Sequence, residues 1–223
     1  MPRGYRYGGP ALAGRWGPCI PVSIRLVSVR IYTRKGDDGT TGLLYGGRVH
    51  KSSPRIELNG AVDESQAMLG LARAEAERGS ELDTLLVALE RDLYVLMAEV
   101  ATAEANRAKL APGTTLVTEE MVQALEQWID ELMERFAMPE EFVVPGQNRR
   151  SASLDVARTV VRRAERLHAA APVAGSQVGR YLNRLSDLLW AMARWQEGDE
   201  HLASRAGRRP RRRTSGTTEG GPG

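Results

Sequence analysis

Cysteine is nearly absent from this chain: Cys19 stands alone among 223 residues. That excludes an internal disulfide framework and a multi-cysteine zinc site, and it favours a reducing, cytoplasmic setting. Histidine is scarce as well, with only His50, His168 and His201. No apolar run approaches the roughly 18 residues a membrane-spanning helix needs. Neither familiar phosphate-loop spacing occurs: there is no Gly-x-x-x-x-Gly-Lys-Ser/Thr, and no Gly-x-Gly-x-x-Gly leading a strand into a helix. Strand signals are confined to extended pieces at 26–32 and 142–144. A convincing nucleophile–base pair is missing too.

Acid is missing from one end of the chain and rare at the other. Residues 1–30 hold five arginines and no acid, and residues 204–223 hold six arginines against one glutamate. The net charge is +3, so the ends' own net charge of +10 leaves the body, 31–203, at −7. Residues 1–29 read as a disordered extension or a mis-assigned start. Their arginines imitate a transit peptide, but Gly8, Gly9, Pro10, Gly17 and Pro18 argue against the amphipathic helix such a peptide needs. Residues 204–223 read as a disordered basic tail with too little apolar surface to offset its ordering entropy. A tail of this kind binds nucleic acid nonspecifically or is merely solvated. The acidic body disfavours nucleic acid as a specific partner, and no membrane partner is expected.

What is present is helical periodicity. Leu82, Leu86, Leu89, Leu93, Leu96 and Val100 lay one apolar seam along a helix. Val122, Leu125, Ile129, Leu132 and Phe136 predict another, with Thr118 as N-cap and Pro139 past its end. Leu154, Ala157, Val161, Ala164 and His168 mark a third, and Val178, Tyr181, Leu185, Leu189 and Met192 a fourth. A weaker pattern occupies 60–77. The short breaks between them predict an all-α, up-and-down bundle of five helices across residues 30–203.

Three features exceed what a core needs. Residues 31–47, "IYTRKGDDGTTGLLYGG", pack five glycines among threonines, two basic residues and two aspartates, a donor-rich loop suited to an anion or simply flexible. Arg158, Arg162, Glu165 and Arg166 form a stripe beside the apolar face of "LDVARTVVRRAERLHAA", with Arg163 alongside. Stacked guanidiniums repel one another, so the stripe faces water or a polyanion. Asn183 and Asp187, poor helix formers, share one face of "GRYLNRLSDLLWAMARW" and suggest a polar pocket or a subunit contact. Asp63 and Glu64 suit a helix N-terminus or an arginine from elsewhere. Glu165 and His168 make one Glu-x-x-His, but the second that a di-metal bundle requires is absent, so no metal site is assigned.

In order, "YTRKGDDGTTGLLYGGRVHKSSPRIELNGAVDE", "FVVPGQN", "VARTVVRRAER" and "YLNRLSDLLW" resemble the PduO-type ATP:cob(I)alamin adenosyltransferases over residues 30–196. The resemblance implies a ferritin-like homotrimer of five-helix bundles binding ATP and corrinoid where subunits meet. It implies ATP contacts for Thr33, Arg34, Lys35, Gly36, Thr41, Gly42 and Lys51 in the loop, for Arg162, Arg163, Glu165 and Arg166 on the arginine helix, and for Asn183. It implies an Asp63–Arg158 pair across the subunit boundary, and Phe142 pressed on the lower corrin face. Residues alone read Phe142 as a loop anchor for the core. Departures are Gln147-Asn148, where many members carry a second glycine after Pro-Gly, and Asp155, where many carry histidine.

The activity so implied is transfer of the 5′-deoxyadenosyl group of ATP to the cobalt of cob(I)alamin, releasing triphosphate. Arg162 and Arg166 with Lys35 and Lys51 would stabilise the leaving group, aided by Mg²⁺. Phe142 would exclude the lower axial ligand, making cobalt(II) reducible. The implied partners are a flavoprotein reductase and an adenosylcobalamin-dependent acceptor enzyme. A non-catalytic, ATP-gated corrinoid carrier would use the same grip residues.

Overall fold

The computed structural model describes residues 32–173, 175–198 and 202–204. The chain divides into a leading unit through Arg34 and a body from Lys35 onward. The N-terminal extension, and the basic tail beyond Ser204, lie outside the described residues. In the leading unit the Arg34 guanidinium sits 5.4 Å from the Tyr32 ring centroid.

The body is mostly helical. Its helices are α1 (Pro54–Ala74), α2 (Glu81–Val100), α3 (Glu119–Met133), α4 (Arg149–Ala170) and α5 (Val178–Glu197), with a short 3-10 helix at Glu104–Lys109. A two-stranded antiparallel ribbon, β1 (Thr40–Gly42) and β2 (Arg48–His50), precedes them, with Thr41 opposite Val49. Sequence periodicity missed the ribbon because its glycines and exposed polar residues carry no period-2 alternation. Of the expected extended pieces, 142–144 is present, with Val143 bridged to Ala203; residues 26–31 are outside the described set.

Caps set the helix limits. Pro54 opens α1, where its missing N–H costs nothing, six residues before the expected pattern begins. Ser80 caps α2 and Thr118 caps α3, each accepting a backbone N–H three residues on. Phe136 falls beyond the end of α3, contrary to the periodic pattern. It remains in the core by turning edge-on to Trp190, with ring centroids 6.2 Å apart.

The predicted α2 seam is buried at all six positions. Each such leucine contributes about 2 kcal/mol by leaving water. Helix α5 is the central element, with Tyr181, Leu182, Leu185, Leu188, Leu189 and Met192 fully buried, because it packs against both α3 and α4. Helix α4 in turn lies between α5 and α1, and α1 packs on α2. Ion pairs fix directions: Arg149 near Glu75 makes α4 antiparallel to α1, and Arg135 with Glu81 makes α3 antiparallel to α2. The chain therefore runs up and down. The start of α1 and the ends of α2 and α4 meet around a cleft of about 380 Å³ lined by Pro54, Arg55, Val100, Ala171 and Pro172.

Several polar groups inside this core are partnered, although the buried His168 Nε2 has no hydrogen-bond partner among the described residues. Glu99, its side chain fully buried, accepts from Arg107 at 2.9 Å and from the Val117 amide at 2.8 Å, which staples the long α2–α3 connection. Tyr181 donates to Asp92 Oδ2 at 2.8 Å. Burial pushes the Asp92 carboxyl above its ordinary range, with the Tyr181 bond opposing.

Candidate functional site

The glycine-rich loop is built on itself. Asp38 accepts from the Thr40 hydroxyl at 2.7 Å and from its amide at 2.9 Å; these bonds, with Arg48 nearby, hold its carboxyl below the usual range. Arg48 Nε donates to Thr40 Oγ1 at 3.0 Å, and its Nη2 donates to the Lys35 carbonyl. Lys51 Nζ reaches back to the Gly36 carbonyl at 2.7 Å. The hairpin turns at Tyr45–Gly47, all three at positive φ. Leu44 N donates to the Ala101 carbonyl at 2.9 Å, docking the loop on the end of α2. Lys35, Gly36, Thr41, Gly42 and Lys51 thus belong to one small structure, whereas Thr33 and Arg34 lie in the leading unit. Sequence reasoning missed Arg48, which ties both strands together; the one signal was a basic residue straight after Gly46-Gly47.

The arginine stripe divides between neighbours. Arg163 pairs with Glu64 of α1. Glu165 accepts from Asn183 Nδ2 at 2.8 Å, and Asn183 Oδ1 accepts from Arg184 at 2.6 Å. Arg184 also bonds Glu126 of α3 at 2.8 Å, so one polar network joins α3, α4 and α5. Asp187 lies at its edge. Partial burial raises its carboxyl pKa and Glu165 adds to that, while Arg184 and Arg162 oppose it. Arg162 and Arg166, one helical turn apart, are exposed, and neither makes a salt bridge among the described residues. Asp63 is exposed on α1, and Arg158 bonds Asp155 of its own helix at 3.2 Å.

Glu165 and His168 do not share a site. Glu165 faces Asn183, while His168 is buried against Gly179, and burial lowers its pKa despite an opposing pull from Glu99. Among the described residues no three His, Cys, Asp or Glu side chains converge as a metal site.

Phe142 lies at the opposite end of α4 from the loop, in the α3–α4 connection. It is 88% exposed, which overturns its reading as a core anchor. It lines a cavity of about 420 Å³ with Met138, Pro139, Glu141, Trp190 and Ser204. The arginines lie between the two ends: at 1.5 Å per residue, Arg162 stands roughly 20 Å along α4 from its first residue.

A loop of basic side chains and amides, an exposed aromatic beside a cavity, and a helix carrying two exposed guanidiniums without salt bridges among the described residues occur in this order along the chain. The sequence profile of cobalamin adenosyltransferase matches residues 31–196, a span containing all three. The chain belongs to the cobalamin adenosyltransferase family.

Relatives within the family cover the same span. A corrinoid adenosyltransferase of Citrobacter freundii is 44% identical over 171 residues, covering 75% of this chain and 95% of its own. One from Mycobacterium bovis is 38% identical over 189 residues, covering 78% and 97%. The corrinoid adenosyltransferase PduO of Salmonella typhimurium is 40% identical over 177 residues, 78% of this chain; the match spans only 52% of that relative. Among solved structures, a variant PduO-type ATP:corrinoid adenosyltransferase from Lactobacillus reuteri complexed with cobalamin and ATP superposes with a TM-score of 0.69. It is 26% identical and covers 79% of this chain and 97% of its own. Another variant of that enzyme, complexed with ATP, gives 0.65 at 27% identity, covering 74% and 93%.

Both departures from the family's usual motifs have structural roles here. Asn148 caps α4, accepting from Ser151 N at 2.9 Å while its Nδ2 donates to the Gln196 carbonyl at 2.9 Å. Asp155 is buried and accepts from Arg194 at 2.7 Å, and Arg194 pairs in turn with Glu197.

Proposed function

We propose that this chain transfers the 5′-deoxyadenosyl group of ATP to the cobalt of a reduced corrinoid, releasing triphosphate. The observation that carries the reading is the pair of exposed guanidiniums on α4, Arg162 and Arg166, without a salt bridge among the described residues, in a chain matched to the family from 31 to 196. Two exposed cations one helical turn apart repel each other and are favourable against a polyphosphate. Relatives at 38–44% identity that bear the adenosyltransferase name favour the enzyme over the carrier.

The nucleotide lies between the loop of one subunit and α4 of its neighbour in a homotrimer. Lys35, Gly36, Thr41, Gly42 and Lys51, with Thr33 and Arg34 ahead of them, supply amides and cations on one side. Arg162, Arg163, Glu165, Arg166 and Asn183 form the other, and Asp63 pairs with Arg158 across the boundary. Cobalt(I) is itself the nucleophile. Its electron pair forms the bond to C5′ as the C5′–O bond breaks and the electrons leave on triphosphate, so no serine, cysteine or general base takes part. The protein's tasks are to hold C5′ in line with cobalt and to stabilise charge growing on the leaving oxygen. Mg²⁺ fits this site as an ion carried by the phosphates, since no protein cage converges among the described residues; it would neutralise triphosphate charge.

Phe142 presses on the lower corrin face and keeps an axial base away, leaving cobalt(II) four-coordinate and easier to reduce. Its 88% exposure costs little once a corrin covers it, and leaves the ring unencumbered until then.

The test is formation of the cobalt–carbon bond, followed by absorbance, with ATP, cob(II)alamin and a reductant. The parent protein turns over, and Arg162→Ala raises the apparent ATP constant about tenfold or more, as expected for loss of a charge-assisted contact. Binding of both ligands without bond formation would overturn the enzymatic reading, and an unchanged ATP constant would remove Arg162 from the site.

A further inference from the structure

The exposed Phe142 ring has almost no protein packing to hold it, so its position is set by its backbone. That backbone is gripped by the stretch that follows α5. Val144 N donates to the Leu202 carbonyl at 2.8 Å, and Ser204 N donates to the Phe142 carbonyl at 2.7 Å. These two bonds flank the Val143–Ala203 antiparallel bridge. The far end of the loop is held by the same part of the fold, through Asn148 Nδ2 on the Gln196 carbonyl. The end of α5 is fixed to α4 by the buried Arg194–Asp155 pair. These contacts on the Phe142 segment come from the end of α5 and from the bridged residues 202–204.

We infer that Leu202–Ser204 is a positioning strand for Phe142: it holds 142–144 extended and so aims the ring. The inference rests on the wedge role proposed for Phe142 and deepens it. The strand makes no contact with the reacting atoms; it acts through the backbone it pairs with. Two backbone hydrogen bonds on an exposed edge are individually modest. Their loss frees the loop without unfolding a bundle whose core lies elsewhere. The ATP loop and the exposed arginines lie toward the other end of α4, so loosening the strand alters the corrin step and leaves nucleotide binding intact.

The test uses the full chain. Ser204→Pro removes the amide that bonds the Phe142 carbonyl; Ser204→Ala keeps it. Three readouts accompany turnover: the melting temperature, the apparent ATP constant, and the fraction of cob(II)alamin that becomes four-coordinate in the presence of ATP, read by electron paramagnetic resonance. Ser204→Pro is expected to lower kcat about tenfold, the scale of one backbone hydrogen bond. The four-coordinate signal should fall with it, and the ATP constant should stay within about twofold; Ser204→Ala should retain most of the turnover. Full turnover in Ser204→Pro alongside loss in Phe142→Ala would overturn the strand's role while leaving the wedge standing. Full turnover in Phe142→Ala would remove the wedge, and the inference with it. Equal losses of kcat and ATP binding in Ser204→Pro would reduce the strand to general structure.

Discussion

A Cβ added at Gly36 would stand 3.1 Å from the Thr40 carbonyl and 3.2 Å from Lys51 Nζ, tighter than ordinary contacts allow. Gly42 differs: an added Cβ meets nothing within 4 Å, and its φ lies outside the glycine-favouring positive range. Nothing inside the described chain requires glycine there, and the open space beside it suits, in our reading, the close approach of the nucleotide. Gly42→Ala should therefore keep its melting temperature or gain slightly, since alanine stiffens the unfolded chain. Its apparent ATP constant should rise several-fold in the cobalt–carbon assay. Gly179 gives the opposite contrast. A Cβ there would sit 2.7 Å from both Cε1 and Nδ1 of the buried His168 ring, so Gly179→Ala should cost about 1–3 kcal/mol by overpacking. Denaturant melts of the two variants separate a glycine kept for folding from one kept for a ligand. A Gly42 variant as unstable as the Gly179 variant would reverse that assignment.

At the scale of elements, the α4–α5 contact shows where sequence reading succeeds and where it stops. The apolar positions Leu154, Ala157, Val161 and Ala164 were legible from their spacing, and all are buried. The charges in the same contact were not. Arg194 has the composition of a surface residue near a helix end, yet it is 2% exposed, with Asp155 at 4% and Glu197 at 6%. Only three-dimensional proximity reveals that Asp155, 39 residues earlier, neutralises it. The partners are unequal. Losing Asp155 leaves Arg194 with Glu197, whereas losing Arg194 strands Glu197 in the core and leaves Asp155 only Arg158. Arg194→Met should therefore destabilise by about 3–5 kcal/mol, and Asp155→Asn by distinctly less. Urea midpoints for the two variants check the order; equal midpoints would mean water reaches Glu197 and takes the place of its partner. The hairpin at 40–50 and the 3-10 helix escaped sequence reading for a related reason. Their backbone is set by bonds such as Arg48 to Thr40, and not by apolar period.

For the whole molecule, the site was legible mainly through resemblance. Composition and period supplied a bundle, a glycine loop and an arginine stripe; that the last two hold one ligand is our proposal, and nothing in their spacing implies it. Within one protomer the loop is docked on the end of α2, while Arg162 and Arg166 stand exposed along α4 without salt-bridge partners among the described residues. An acidic body of −7 repels a polyphosphate at long range, so binding depends on concentrating cations locally. Joining two cationic surfaces from adjacent subunits, as proposed, would do that, and it makes a sharp prediction. Lys51→Ala damages the loop side and Arg162→Ala the helix side, so each should lose most activity alone. If the two variants are co-expressed so that they mix at random in a homotrimer, about a quarter of the interfaces combine an intact loop with an intact helix. Mixed preparations should then regain roughly that fraction of parent turnover, and sedimentation should show a trimer. A site contained in one protomer gives no recovery on mixing, because every loop–helix pair in the mixture then carries one of the two lesions.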